Sequence, residues 1–284
     1  MDIKEKLVED GYVVIPDVLT SDEVSSAYKM FMDWKKTIKN HDEMHRTINP
    51  HNIYKYHEVG HQKHAWFIRT RPAVINIFKK LWDTDEVVVS FDGCCYIDKN
   101  EKRKDKFWCH SDQSPCKDGL RCYQGLVSLT SNKEKTFVIW EGTHKEHQDI
   151  FKDKSKKSDW QKVPPEMEEA LSHKRKVITV EAGSMILWDS RLLHQNQYGN
   201  NSDEERLVQY VCMLPKNHKD NNESENGKRE FYFRKRRTTS HWPYKIHVNP
   251  KQPRTFGNDN LLINYDELIE PELDEYMETI LTLL

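Results

Sequence analysis

The chain has 284 residues, 36% hydrophobic and 32% charged, and its 44 basic and 46 acidic side chains leave a net charge of −2. That balance describes a folded chain with a heavily solvated surface and supplies no global field for nucleic acid or anionic lipid, so any such binding must be local. No run approaches twenty apolar residues and MDIKEKLVEDG is charged from its second position, so the expectation is an intracellular, cytoplasmic chain with no membrane span.

In chain order, the apolar run of GYVVIPDVL ends at Pro16 and predicts a strand entering a turn. Thr20 or Ser21 then caps a predicted helix through DEVSSAYKMFMDWKKTIK, with Tyr28, Phe31, Met32 and Trp34 at helical spacing as its core face. HDEMHRTINPHNIYKYHEVGHQKH follows. It holds His41, His45, His51, His57, His61 and His64 but no HExxH, and His41/His45 lacks a third partner at fixed spacing, so a solvated or substrate-lining stretch is expected rather than a second metal. RPAVINIFKKLW predicts another helix, with Pro72 in its first turn.

From Glu86 the period becomes that of strands. EVVVSFDGCCYI, RCYQGLVSL, KTFVIW, KVITV, SMILWD and RLVQYVCML are short runs rich in β-branched and aromatic residues, which predicts a double-sheet jelly roll or related barrel. HQDIFKDKSKKSDWQKVPPEMEEALSHKR reads as a polar surface insert with a helical piece, and NHKDNNESENGKRE as a mobile loop. With no repeat and no sharp composition break, one domain is expected over 1–284: a helical flank over about 1–85, a mainly β, cupin-like core over about 86–215, and an extension over about 216–284. Cys94, Cys95, Cys109, Cys116, Cys122 and Cys212 form no CxxC pair and are expected as free thiols.

FWCHSDQSP sets His110 and Asp112 two apart, so on extended backbone both point to one side. His194, directly after the strand-like SMILWD, offers a third ligand. Two imidazoles and a carboxylate on one face of a metal leave the opposite positions open, the arrangement used by iron(II) oxygenases. Arg206 opens RLVQYVCML with a fixed, bidentate positive charge suited to the distal carboxylate of a chelating dicarboxylate.

HSDQ, WEGTHKEH, VEAGSMILWDSRLLHQN and NNSDEERLVQYVCMLP, in that order after DGYVVIPDVLTSDEV, resemble the phytanoyl-CoA dioxygenase family over roughly residues 8 to 215. The resemblance implies a double-stranded β-helix (jelly-roll) fold, iron(II) at His110, Asp112 and His194, and 2-oxoglutarate on Arg206. It also implies a hydroxylase that releases succinate and CO2. Asn196 stands where relatives often carry serine near the co-substrate, and His144 reads as a turn residue. Asp112 fills the coordination position that halogenating relatives leave to a halide.

The substrate itself has no readable code; a small, possibly anionic molecule is expected, with nucleic acid left open and the oligomeric state unread. His57, His64 and Trp66, with Gln113 beside the ligand pair, are candidate substrate contacts. Lys228, Arg229 and Arg234 to Arg237, interleaved with aromatics, suit phosphate or a solvated strand pairing with the acidic tail; Arg234 is the candidate named from them. A non-catalytic cupin-like binding protein and a zinc hydrolase remain alternatives.

Overall fold

Alternating residues become ladders in the computed structural model, which describes residues 2–152 and 158–284. Its strands are β1 (Tyr12–Ile15), β2 (Ile53–Tyr54), β3 (Val87–Val89), β4 (Cys94–Ile97), β5 (His110–Ser111), β6 (Tyr123–Ser128), β7 (Phe137–Trp140), β8 (Gln161–Lys162), β9 (Arg175–Val177), β10 (Met185–Asp189), β11 (His194–Asn196), β12 (Arg206–Val211) and β13 (Met213–Pro215). Antiparallel sheets with flanking helices make this a double-stranded β-helix, or jelly roll. The chain divides into two compact units, one of residues 1–17 and 97–206, the other of 18–96 and 207–284.

In the first unit β10 lies between β1 and β6, with Tyr12 opposite Trp188 and Trp188 opposite Gln124. All five residues of β10 are buried, which explains the unbroken apolar run MILW ahead of Asp189. A five-stranded sheet follows the order β8-β5-β11-β7-β9. Cys109, Val138, Trp140, Phe151, Val163 and Leu193 pack together there and support the strands of His110 and His194. His144, expected in a turn, donates from Nε2 to the Val8 carbonyl at 3.0 Å and so fastens the helix Ile3–Asp10. Gly11 ends that helix at φ 84°, and a Cβ there would meet His144 Nδ1 at 2.5 Å, so both conformation and space require glycine. The insert carries short helices at His147–Ile150 and Glu168–Leu171, as expected of it; its residues 153–157 lie outside the described residues.

In the second unit β2 pairs β4, and β3 pairs β13. The helix Ser21–Thr37 starts where the sequence predicts, with Thr20 as its cap: the Thr20 hydroxyl accepts from Glu23 N and the Glu23 carboxylate accepts from Thr20 N, closing a capping box. Phe31 and Trp34 of that helix face inward against Tyr54 and His64. Pro72 opens the helix Pro72–Trp82.

Three expectations change. The segment read as a mobile loop runs into the helix Glu223–Arg234, capped by the Asn222 side chain. Its polar composition concealed a buried cation as the anchor: the Arg229 guanidinium donates to Pro243 O at 2.6 Å, Leu284 O at 2.8 Å and Asn221 Oδ1 at 2.6 Å. The basic stretch is therefore helical where a strand was the bland reading. Its pairing with the acidic tail is real, though, since Arg236 binds both Glu58 at 2.7 Å and Glu270. The histidine-rich stretch is mostly not solvated. His45 stacks on Tyr54 with centroids 3.8 Å apart, Tyr54 OH donates to His41 Nε2 at 2.5 Å, and His57, His61 and His64 are buried.

All six cysteines are free, as expected. Among the described residues no helix is long and apolar enough to cross a membrane.

Burial holds His61 and His64 neutral, taking each from its ordinary 6.5 down to about 3. Above pH 6.5 neither the folded nor the unfolded chain protonates these rings. Below it the unfolded chain gains protons that the folded chain refuses, so stability falls between pH 6.5 and about 3. Urea melts across that range are expected to show a falling midpoint. His64→Phe, which removes two buried ring nitrogens that lack hydrogen-bond partners among the described residues, is expected to flatten the slope without destabilising the chain at neutral pH. A slope unchanged in that variant would refute this account.

Candidate metal centre

β5 and β11 are neighbours in the five-stranded sheet, and their register sets His110 directly opposite His194. Cross-strand partners share a face, so the two imidazoles meet, with ring centroids 4.4 Å apart. Asp112, two residues past His110, returns to the same side. Its carboxylate oxygens lie 3.8 Å from His110 Nε2 and 3.3 Å from His194 Nε2. One ligand atom from each of the three falls within 4.8 Å of the others.

Both rings are turned the same way by the backbone. His110 Nδ1 donates to Trp108 O at 3.2 Å, and His194 Nδ1 donates to Leu192 O at 2.9 Å. A carbonyl can only accept, so each Nδ1 carries the proton and each Nε2 presents its lone pair toward the carboxylate. Three electron-pair donors aimed at one point repel one another unless a cation lies between them. Two nitrogens and a carboxylate on one side of that cation leave its other positions to exogenous ligands.

Asp112 is held by its neighbours. Its N–H donates to Ser190 O at 3.0 Å, while the Ser190 hydroxyl donates to Gln113 Oε1 at 2.7 Å. Gln113 Nε2 donates to Lys117 O at 3.1 Å and Gly119 O at 2.6 Å, and His147 Nε2 donates to Gln113 O at 3.0 Å. Burial keeps His147 neutral, lowering it to about 4, which suits this one-proton role. Trp108 completes the frame: its ring stacks on His110 at 4.8 Å, its N–H donates to Asn196 O at 3.0 Å, and its backbone N–H donates to Gln195 Oε1 at 2.9 Å.

The structure thus brings together His110, Asp112 and His194, and puts Asn196 on the same strand, two residues past His194. Arg206 is buried at the start of β12. Gln113, expected toward substrate, spends its amide on the loop beneath Asp112. His57, His64 and Trp66 are buried residues of the other compact unit, His64 boxed by Phe31 and Trp34, and Arg234 is exposed at the end of its helix.

Sequence reading missed two donors. Trp188 and Gln124 face each other across β10 and β6, and Trp188 packs 5.4 Å from the His194 ring. Trp188 Nε1 and Gln124 Nε2 are both buried with no hydrogen-bond partner among the described residues. Buried N–H groups left this way are donors still lacking an acceptor. A lone glutamine inside the apolar run CYQGLVSL was the available signal; the register that pairs it with Trp188 was not.

Residues 7–208 match the family model described as phytanoyl-CoA dioxygenase (PhyH). The "Ava biosynthesis cluster protein O" of Aspergillus versicolor is 27% identical over 241 residues, covering 76% of this chain and 78% of that protein. HygX from Streptomyces hygroscopicus, solved with nickel and 2-oxoglutarate bound, superposes with a TM-score of 0.53 at 13% identity over 75% of this chain and 86% of that one. EctD from S. alaskensis, solved with 2-oxoglutarate and 5-hydroxyectoine, gives a TM-score of 0.51 at 17% identity over 75% and 74% of the two chains.

Cobalt(II) titrations followed by visible absorbance should show one site in the wild type and none in Asp112→Ala or His194→Ala. Gln113→Ala, which loosens the loop under Asp112, should weaken binding by roughly 10- to 100-fold with the far-UV circular dichroism unchanged. Cobalt binding of wild-type strength in Asp112→Ala would break the ligand assignment.

Proposed function

Because the chain belongs to the phytanoyl-CoA dioxygenase family, we propose that it is an iron(II)- and 2-oxoglutarate-dependent oxygenase that hydroxylates a small molecule, with the metal on His110, Asp112 and His194. The observation that carries the reading is the convergence of two fixed Nε2 lone pairs and one carboxylate on a single point. When bound there, iron supplies adjacent positions for the 2-oxo acid and dioxygen, and couples decarboxylation of the co-substrate to succinate and CO2 with oxidation of a substrate C–H bond.

The protein groups have separate tasks. Nδ1–H donation to the backbone fixes the orientation of both imidazoles, so that Nε2 of each would be the atom offered to the metal. Asp112 balances one charge and occupies the position a halide would need, which favours hydroxylation over halogenation. Arg206 grips the distal carboxylate of 2-oxoglutarate with charge-assisted bonds. Gln124 Nε2 and Trp188 Nε1 are the further donors available to an oxygen-rich ligand. Burial of Trp108, Phe137 and Trp188 around the imidazoles keeps bulk water from that side of the site.

Anaerobic addition of iron(II) and 2-oxoglutarate is expected to produce a visible charge-transfer band, and admission of air to release succinate. A zinc hydrolase or a cupin-like binding protein would do neither. Asp112→Ala should abolish succinate release. Arg206→Ala should raise the KM for 2-oxoglutarate roughly 10- to 100-fold, as expected when charge-assisted bonds of about 1.5–3 kcal/mol are lost, and Arg206→Lys should recover part of it. An unaltered KM in Arg206→Ala would remove the carboxylate role.

A further inference from the structure

Ion pairs do not consume the whole of the basic stretch. Lys55, Glu58, Arg236, Arg237, Asn249 and Lys251, together with Tyr265, line a narrow recess in the second compact unit. Its floor has a volume of about 10 Å³, room for a single water-sized group. Of the lining residues, only Lys55 and Glu58 fall within the family match, which ends at residue 208, and none belongs to the metal centre. Arg236 is spent on Glu58 at 2.7 Å and on Glu270. Lys55, Arg237 and Lys251 have no carboxylate partner among the described residues. Arg237 gives one amino group to Asn249 O at 2.7 Å, and the Lys251 ammonium lies 4.8 Å from the Tyr265 ring centroid. Four cations against the carboxylates of Glu58 and Glu270 leave a surplus of two positive charges. The frame around them is fastened. The Thr238 hydroxyl accepts from Gly60 N at 3.1 Å, the Tyr265 hydroxyl donates to Lys251 O at 2.5 Å, and Gln252 exchanges bonds of 2.8 and 2.9 Å with Ile263. Glu58 and Arg236 both lie in the left-handed region, at φ 54° and 45°, a conformation that costs a non-glycine residue free energy and persists where the surroundings enforce it.

Like charges gathered round one recess repel one another unless an anion sits among them. We propose that this recess binds a phosphate group, free or at the end of an organic monoester. Near neutral pH such a group carries close to two negative charges, which matches the surplus, and its terminal oxygens give an acceptor to each of Lys55, Arg237 and Lys251. One oxygen fills the water-sized floor while the rest of the group stays at the mouth. There Lys55 and Lys251 are exposed, and their long flexible stems let both ammonium groups fold onto the anion. Arg237 is half-buried and fixed through Asn249, so its remaining N–H groups are already placed as planar donors. A monoanion such as chloride would leave one positive charge unbalanced. Recognition here is independent of iron and 2-oxoglutarate, and no bond is made or broken.

Isothermal titration calorimetry of the full, metal-free chain with inorganic phosphate, at a constant low ionic strength set by chloride, should show one saturable site. Lys55→Gln combined with Lys251→Gln should weaken it roughly tenfold with the far-UV circular dichroism unchanged, because both side chains are exposed. Arg237→Gln should abolish it. Lys228→Gln, whose ammonium is paired with Glu225, and Arg206→Ala, outside the recess, should both bind as the wild type does. Tighter binding of glycerol phosphate than of inorganic phosphate would assign a monoester as the ligand, and the reverse order would assign free phosphate. The inference is overturned by the absence of saturable binding, by chloride displacing phosphate at equal concentration, or by wild-type affinity in the Lys55 and Lys251 double variant. Loss of binding in Arg206→Ala would place the phosphate in the barrel and overturn it as well.

Discussion

Two imidazole N–H groups, those of His110 and His194, each donate to the carbonyl two residues earlier, and the rest of the centre depends on that pair of bonds. A histidine ring turns about two side-chain torsions, so residue type and strand position alone leave open which nitrogen faces inward. The backbone bonds remove that freedom and place a proton on Nδ1, turning Nε2 of both rings toward the Asp112 carboxylate. Only then does the sheet order matter: β5 beside β11 makes the two rings cross-strand partners, and the return of Asp112 to the same side adds the carboxylate.

Much of this was readable because it follows a period. His110 and Asp112 two apart on extended backbone, and His194 just after a buried strand, needed only the alternation of side chains. Thr20 announced its helix through its own hydroxyl and Glu23, a signal three residues long. What escaped reading depends on contacts far apart in sequence. The polar stretch after Pro215 is helical because Arg229 finds carbonyls some fourteen and fifty-five residues away. The histidines from His41 to His64 have no ligand spacing, yet most are buried, and His45, His61 and His64 pack against the aromatic rings of Tyr54, Phe91 and Phe31. The pairing of Trp188 with Gln124 arises from strand register, which local composition does not encode.

The same contrast separates the two halves of the charge pattern. Cations that looked available for phosphate are largely occupied: Lys228 by Glu225, Arg236 by Glu58 and Glu270, Arg229 by carbonyls and amides. Arg206 lies outside that run, buried at the start of β12. A basic run in a sequence therefore reports on solvation, ion pairing and structural anchoring as readily as on a ligand.

The hydrogen bonds joining Asp112 to Ser190, Ser190 to Gln113 and Gln113 to His147 tie the segment before His194 to the segment after His110. The donor set is thus held by protein groups rather than gathered by the ion. A rigid site of two nitrogens and one carboxylate ranks divalent cations by their intrinsic affinities, and copper, nickel and zinc stand above iron(II) in that order. For such a donor set the supply of free cations weighs as much as the ligands themselves in deciding which metal would be held.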